Sequence, residues 1–257
     1  MNGSKRILPI LAAALFLTAC TGCGRTGGAE YVKKGVAAAD RGDWEGALKF
    51  ASKGVERSPR SIDALLLKAL AARQCGRPNQ ARAAAEAAVN VDPHNFSAQF
   101  MLGWVCLDDP NSRVEARRAF EAALKLRPND CDTLIALCNL AAERDPREML
   151  VYLSLLESRC PAFVRNSSAF HNQRGVAYLR TGRGARAAFE EFKLAIRMKS
   201  GWNDPQVVYN VACIGDLQRS VPAWRLKGWY EHYLELTRND GSAAVKRQLV
   251  LERLKRL

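Results

Sequence analysis

The chain has 257 residues, 48% of them apolar, enough to bury a substantial core. No run of alternating β-branched residues is present, so sheet architectures are excluded and an essentially all-α fold is expected. Thirty-nine Lys and Arg against 26 Asp and Glu leave a formal charge of +13, which suits acidic partners, while the absence of a known aromatic-basic binding motif points away from nucleic acid. A second reading of the same charge, Arg standing in for Lys on solvated helix faces, stays open beside the first.

The first element in chain order is a short apolar stretch with a positive start. Lys5 and Arg6 precede residues 7–17, eleven positions that contain Pro9 and are too few to span a bilayer as a mature anchor. Leu17-Thr18-Ala19-Cys20 closes the stretch. These four residues resemble the lipobox of bacterial lipoproteins. The resemblance implies a signal peptide over residues 1–19, cleavage after Ala19 and acylation of Cys20. Several acyl chains, at about 0.8 kcal/mol per buried CH2, would hold an otherwise soluble domain on a membrane. Thr21 follows where inner-membrane retention resembles Asp, so the periplasmic face of the outer membrane is the expected address. Residues 20–29 are Gly-rich and without apolar period, and the nine from Thr21 to Ala29 are expected to form a flexible tether reaching about 15–18 Å.

Beyond the tether the chain is periodic. Gly42, Ala47 and Pro59 return as Gly76, Ala81 and Pro93, each 34 residues later. Ala116, Phe120, Ala123 and Pro128 make a third copy displaced by 35, and Pro161 closes a fourth after 33. A period of this length means stacked helical hairpins. The pattern resembles the tetratricopeptide repeat, and the resemblance implies small residues near the middle of the first helices, at Gly35, Ala69, Gly103, Cys138, Gly175 and Ala212, that let the second helix approach. Gly42, Gly76 and Gly182 fit left-handed turns. Ala188, Phe192 and Ala195 repeat the second-helix pattern of Ala116, Phe120 and Ala123. Pro59, Pro93, Pro128 and Pro161 then close their hairpins, because proline cannot continue a helix.

Resemblance to the tetratricopeptide-repeat family further implies six hairpins, over residues 28–61, 62–95, 96–129, 130–163, 166–202 and 204–239, stacked as a right-handed α-solenoid across residues 30–239. Residues 240–257 are then a capping helix, with an apolar stripe on the last repeat and a basic face outward. Repeats four and six are degenerate. Met149, Leu153 and Leu156 stand where an Ala and an aromatic are usual, and the sixth is recognisable mainly by its helices around Tyr209 and Trp229.

Seven cysteines remain once Cys20 is assigned to lipid, an odd number that precludes complete intramolecular pairing. Cys131 begins the first helix of repeat four and Cys160 ends its second, so an antiparallel hairpin brings the two into reach of a disulfide. Cys106, Cys138 and Cys213 read as small core residues. The three histidines, His94, His171 and His232, lack ligand spacing, so no metal or other cofactor is expected. No G-x-S-x-G, H-E-x-x-H or phosphate-binding glycine loop occurs, and the carboxylate pairs Asp108-Asp109 and Glu190-Glu191 read as solvated charge, which argues against an enzyme.

Stacked hairpins line a concave groove with their first helices, and such a groove receives an extended peptide or a partner helix. Counting around those helices places Val32, Val36, Leu66, Leu70, Arg73, Phe100 and Trp104 inward in the first half of the chain. Ile135, Asn139, Asn172, Val176 and Tyr209 follow in the second half. Phe100 and Trp104 share one helical face and make either an apolar anchor for a partner or part of the core. Asn139 and Asn172 offer peptide amides both a donor and an acceptor. Two functions of different class follow. One is a membrane-tethered adaptor that binds a segment of another envelope protein and assists assembly, resembling the pilotins of type IV pilus secretins or the repeat lipoprotein of the β-barrel assembly machinery. The other is a structural lipoprotein whose basic surface contacts anionic polymers or lipid.

Overall fold

The computed structural model describes residues 27–219 and 221–257. The signal-peptide segment, Cys20, Cys23 and the tether up to residue 26 lie outside the described residues. Among the described residues the chain forms α-helices and two short 3-10 turns, with no strand and no helix long and apolar enough to cross a membrane. It divides after Thr133 into two compact units.

The first unit contains three hairpins. Helices α1 (Gly27–Asp40) and α2 (Trp44–Arg57) make the first, α3 (Ile62–Gln74) and α4 (Pro78–Val91) the second, and α5 (Phe96–Cys106) and α6 (Arg113–Leu126) the third. Each second helix packs on its own first helix, and those of the first two hairpins pack also on the first helix of the next. The helices start where a side chain can take an orphan N–H. Asp43, Ser61 and Asn95 accept from the amide three residues on, at 2.8, 3.4 and 3.0 Å. Gly42 and Gly76 turn the first two hairpins at φ 78° and 68°, as their positions predict. The third has no such glycine and turns through the 3-10 segment Pro110–Ser112 instead.

Alanine dominates the core of this unit. Ala47, Ala51, Ala69, Ala81, Ala85 and Ala88 are fully buried, with Leu48, Leu66 and Met101 filling the space around them. Small residues at the hairpin crossings are required by geometry, since a Cβ on Gly103 would stand 2.8 Å from the Phe120 ring. The same logic corrects the tether. Residues 27–29 are helical, and Gly28 is buried against the end of α2, where a Cβ would meet the Ser58 side chain at 2.5 Å.

The division falls inside α7 (Cys131–Arg144), whose greater part belongs to the second unit with α8 (Pro146–Arg159). A short α9 (Pro161–Arg165) precedes the hairpin of α10 (Ser168–Arg180) and α11 (Ala185–Arg197). A second short helix, α12 (Lys199–Trp202), precedes the hairpin of α13 (Pro205–Leu217) and α14 (Ala223–Leu236). After the 3-10 turn Gly241–Ala243, α15 (Ala244–Leu254) packs on α14 and buries Val250. Pro161 therefore opens a helix as well as ending one, because the first helical position needs no N–H donor. The core here is aromatic and β-branched, built on Phe192, Val207, Val211, Tyr230 and Tyr233.

Candidate functional site

In the first unit the predicted inward positions split by depth. Leu66, Leu70 and Phe100 expose only 2, 7 and 7% of their surface and belong to the core rather than to a groove. Phe100 packs edge-on against Phe120 at 5.7 Å and stacks on Phe96 at 5.6 Å. Val32, Val36, Arg73 and Trp104 are half-buried. Trp104 meets the Phe100 and Phe120 rings at 6.2 and 6.4 Å. The Arg73 guanidinium lies 5.3 Å from its ring centre and forks onto Asp108, with Nε donating to Oδ2 at 2.5 Å and Nη2 to Oδ1 at 2.9 Å. The aromatic pair is thus packed, and the accessible feature of this face is the Arg73–Asp108 pair beside the indole.

In the second unit the inward positions form a row of amides. Asn139 on α7 is exposed and its carboxamide oxygen accepts from Gln173 Nε2 of α10 at 2.7 Å. Asn172, the neighbour of Gln173, accepts from Asn210 Nδ2 of α13 at 2.8 Å. Gln206, one turn earlier on α13, donates to Asn210 Oδ1 at 2.8 Å and accepts from Lys246 Nζ of α15 at 2.9 Å. The Lys246 ammonium also lies 5.1 Å from the Tyr209 ring. Ile135, Val176 and Tyr209 are half-buried. The structure thus sets Asn139, Asn172 and Tyr209 on α7, α10 and α13 among residues that sequence reading missed: Gln173, Gln206, Asn210 and Lys246. A signal for one of them existed, since Gln173 follows Asn139 by one repeat length of 34 residues.

Of the two carboxylate pairs expected to be solvated, Asp108, Asp109 and Glu190 are exposed and Glu191 is buried. Glu191 is 8% exposed, and its carboxylate accepts from His171 Nδ1 at 2.8 Å and pairs with Arg174 Nη2 at 3.0 Å. Arg174 continues to Glu157 of α8 at 2.8 Å, and its guanidinium lies 4.8 Å from the Phe170 ring. Burial pushes the Glu191 carboxyl upward, but the hydrogen bonds from His171 and Arg174 outweigh it and hold the group below the usual carboxylate range. This network ties α8, α10 and α11 together. Asp108 is likewise committed, to Arg73, and Asp109 accepts from the Asn111 amide at 3.0 Å and from Ser112 Oγ at 2.7 Å. These carboxylates are engaged in hydrogen bonds and ion pairs within the fold.

Cys106 and Cys138 are free, buried thiols, and burial pushes Cys138 up to about 12. Cys75 and Cys213 are free and half-buried. Cys131 and Cys160 are each disulfide-bonded.

Comparison with known proteins fits this architecture. The description of the tetratricopeptide repeat matches residues 66–130. Uncharacterized protein MJ0572 of Methanocaldococcus jannaschii is 41% identical over 64 residues, 25% of this chain and 74% of that protein. Among solved structures, PilF of Pseudomonas aeruginosa superposes with a TM-score of 0.69 at 17% identity, covering 88% of this chain and 97% of that one. PilW, described as a widely conserved type IV pilus biogenesis factor, gives 0.66 at 13% identity over 89% of this chain and all of that one. YrrB, described as a repeat protein of this kind with an unusual peptide-binding site, gives 0.61 at 16% identity over 80% and 98%.

Proposed function

We propose that this chain, which belongs to the tetratricopeptide-repeat family, is a lipid-anchored scaffold that binds a peptide or helix of another cell-envelope protein and assists the assembly of a larger complex, in the manner of a pilotin. The amide row of α7, α10 and α13 supports this reading most directly. An extended peptide offers one N–H and one C=O per residue, and carboxamides match both. Asn139 and Asn172 each use the carboxamide oxygen within the row, so their NH2 groups can donate to a peptide carbonyl. Tyr209 and Lys246 add an aromatic surface and a cation at one end of the row. Likeness to PilW and PilF supports the fold of such a scaffold, and the lipobox-like Leu17-Thr18-Ala19-Cys20 supports the anchor.

The test is a photo-crosslinking amino acid placed in the full chain either at Asn139 or at Val114, an exposed position on α6. Support is a covalent adduct with one defined peptide segment of an envelope protein from position 139 alone, diminished by Asn172→Ala. Equal adducts from both positions, or none from 139, would refute the groove. Acylation is read separately by metabolic labelling with a fatty acid, which Cys20→Ala should abolish.

A further inference from the structure

We propose that the outer side of α14 is a docking surface for an anionic phospholipid bilayer, with Trp224 entering the headgroup layer. This goes beyond the scaffold reading and concerns a different surface from the amide row. Three of the chain's five tryptophans lie on α14 or against it. Trp224 is 69% exposed at the start of α14, and the Arg225 guanidinium sits 5.0 Å from its ring centre. Trp229, five residues on, lines a shallow cleft of about 350 Å³ with Phe189, Ile196 and Val221, and Arg197 and Arg225 stand at its rim. Trp202, 42% exposed, stacks on His232 of the same helix at 4.2 Å.

Charge on this side is partly spent: Lys227 of α14 pairs with Glu231 at 3.9 Å, and His232 faces Glu235 at 3.7 Å. Lys193 at the same rim is paired with Glu190 at 2.7 Å, whereas Arg197 and Arg225 form no ion pair among the described residues. Trp224 exposes apolar surface to water with only the Arg225 guanidinium beside it, and nothing lies near the neighbouring Gly228 position. A protein partner would need a matching recess for the protruding Trp224 indole. A bilayer interface needs none: it is soft, it receives the amphipathic indole at headgroup depth, and its anionic lipids attract the two free guanidiniums. Indole and guanidinium side by side, with a shallow rather than deep cleft, therefore fit a lipid surface better than a peptide.

The experiment uses the full chain in vesicles whose lipids carry brominated acyl chains, which quench tryptophan emission only on close approach. Phosphatidylglycerol vesicles are compared with phosphatidylcholine vesicles, for wild type, Trp224→Phe and the double variant Arg197→Gln, Arg225→Gln, with circular dichroism confirming the fold of each. The expected result is quenching in phosphatidylglycerol well above that in phosphatidylcholine, most of it lost in Trp224→Phe. In the double variant it should fall to the phosphatidylcholine level. Each cation beside an anionic surface gains about 1 kcal/mol, or roughly fivefold in partitioning, so two removed cations predict about a 25-fold loss. Equal quenching in both lipids, or quenching that survives Trp224→Phe, overturns the proposal. So does an emission shift with a soluble Glu-rich amphipathic peptide but not with vesicles, which would assign the surface to a protein partner. None of these outcomes bears on cross-linking from Asn139, so the scaffold reading fails or stands separately.

Discussion

Gly175→Ala and Gly228→Ala are the same chemical change on two helices, and the packing gives them opposite signs. At Gly175 on α10 a Cβ would stand 2.6 Å from the Phe192 ring, which is fully buried and has no room to withdraw. Overpacking of this kind costs about 1–3 kcal/mol, and the better helix propensity of Ala returns about 1 kcal/mol, leaving a net loss of about 1 kcal/mol. At Gly228 on α14 nothing lies within 4 Å of the new Cβ, so only the propensity gain of about 1 kcal/mol remains. The two variants should therefore differ by about 2 kcal/mol, read as urea midpoints followed by circular dichroism and by tryptophan fluorescence. In a Phe192→Leu background Gly175→Ala should lose most of its penalty, because the obstructing ring is gone. If Gly175→Ala raises the midpoint as Gly228→Ala does, close approach of the helices is not what holds a glycine at that position.

Other expectations test other links of the argument. Glu191→Gln should cost about 2–3 kcal/mol at neutral pH by leaving Arg174 and His171 short of a charged acceptor. Because the folded Glu191 carboxyl lies below its ordinary 4.5, its contribution is present above that value and is lost as pH falls through the lowered folded one. An acid titration of stability should accordingly be flatter in Glu191→Gln than in wild type. Arg219 occupies the turn between α13 and α14 at φ 50°, where other hairpins use glycine, so Arg219→Gly should raise the urea midpoint by an equivalent of about 1 kcal/mol. Cys131 and Cys160 are proposed to bridge each other, and mass spectrometry of unreduced proteolytic fragments should recover the peptides around residues 131 and 160 joined, separating on reduction.

The periodic residues carried the fold in the sequence itself. Gly42, Gly76 and Gly182 turn with positive φ, and Gly35, Ala69, Gly103, Cys138, Gly175 and Ala212 are all buried at crossings. Such positions are legible because each is constrained by its own hairpin, whose geometry is local and repeats every 34 residues or so. The site was less legible. Helical counting alone put Leu66, Leu70 and Phe100 in a groove, because it gives a direction around the helix but not the depth to which neighbouring hairpins cover it.

Sequence alone thus determined the helical class, the hairpin rhythm and the turn glycines, all consequences of short-range sterics and capping. The tertiary structure decided which polar residues meet: Asn172 with Asn210, Gln206 with Lys246, and Glu191 with His171 and Arg174. These partners lie between 17 and 40 residues apart and change with each insertion, such as α9 and α12, so no fixed period announces them. A side chain's partner across two helices depends on the axial offset between them, and only packing sets that offset.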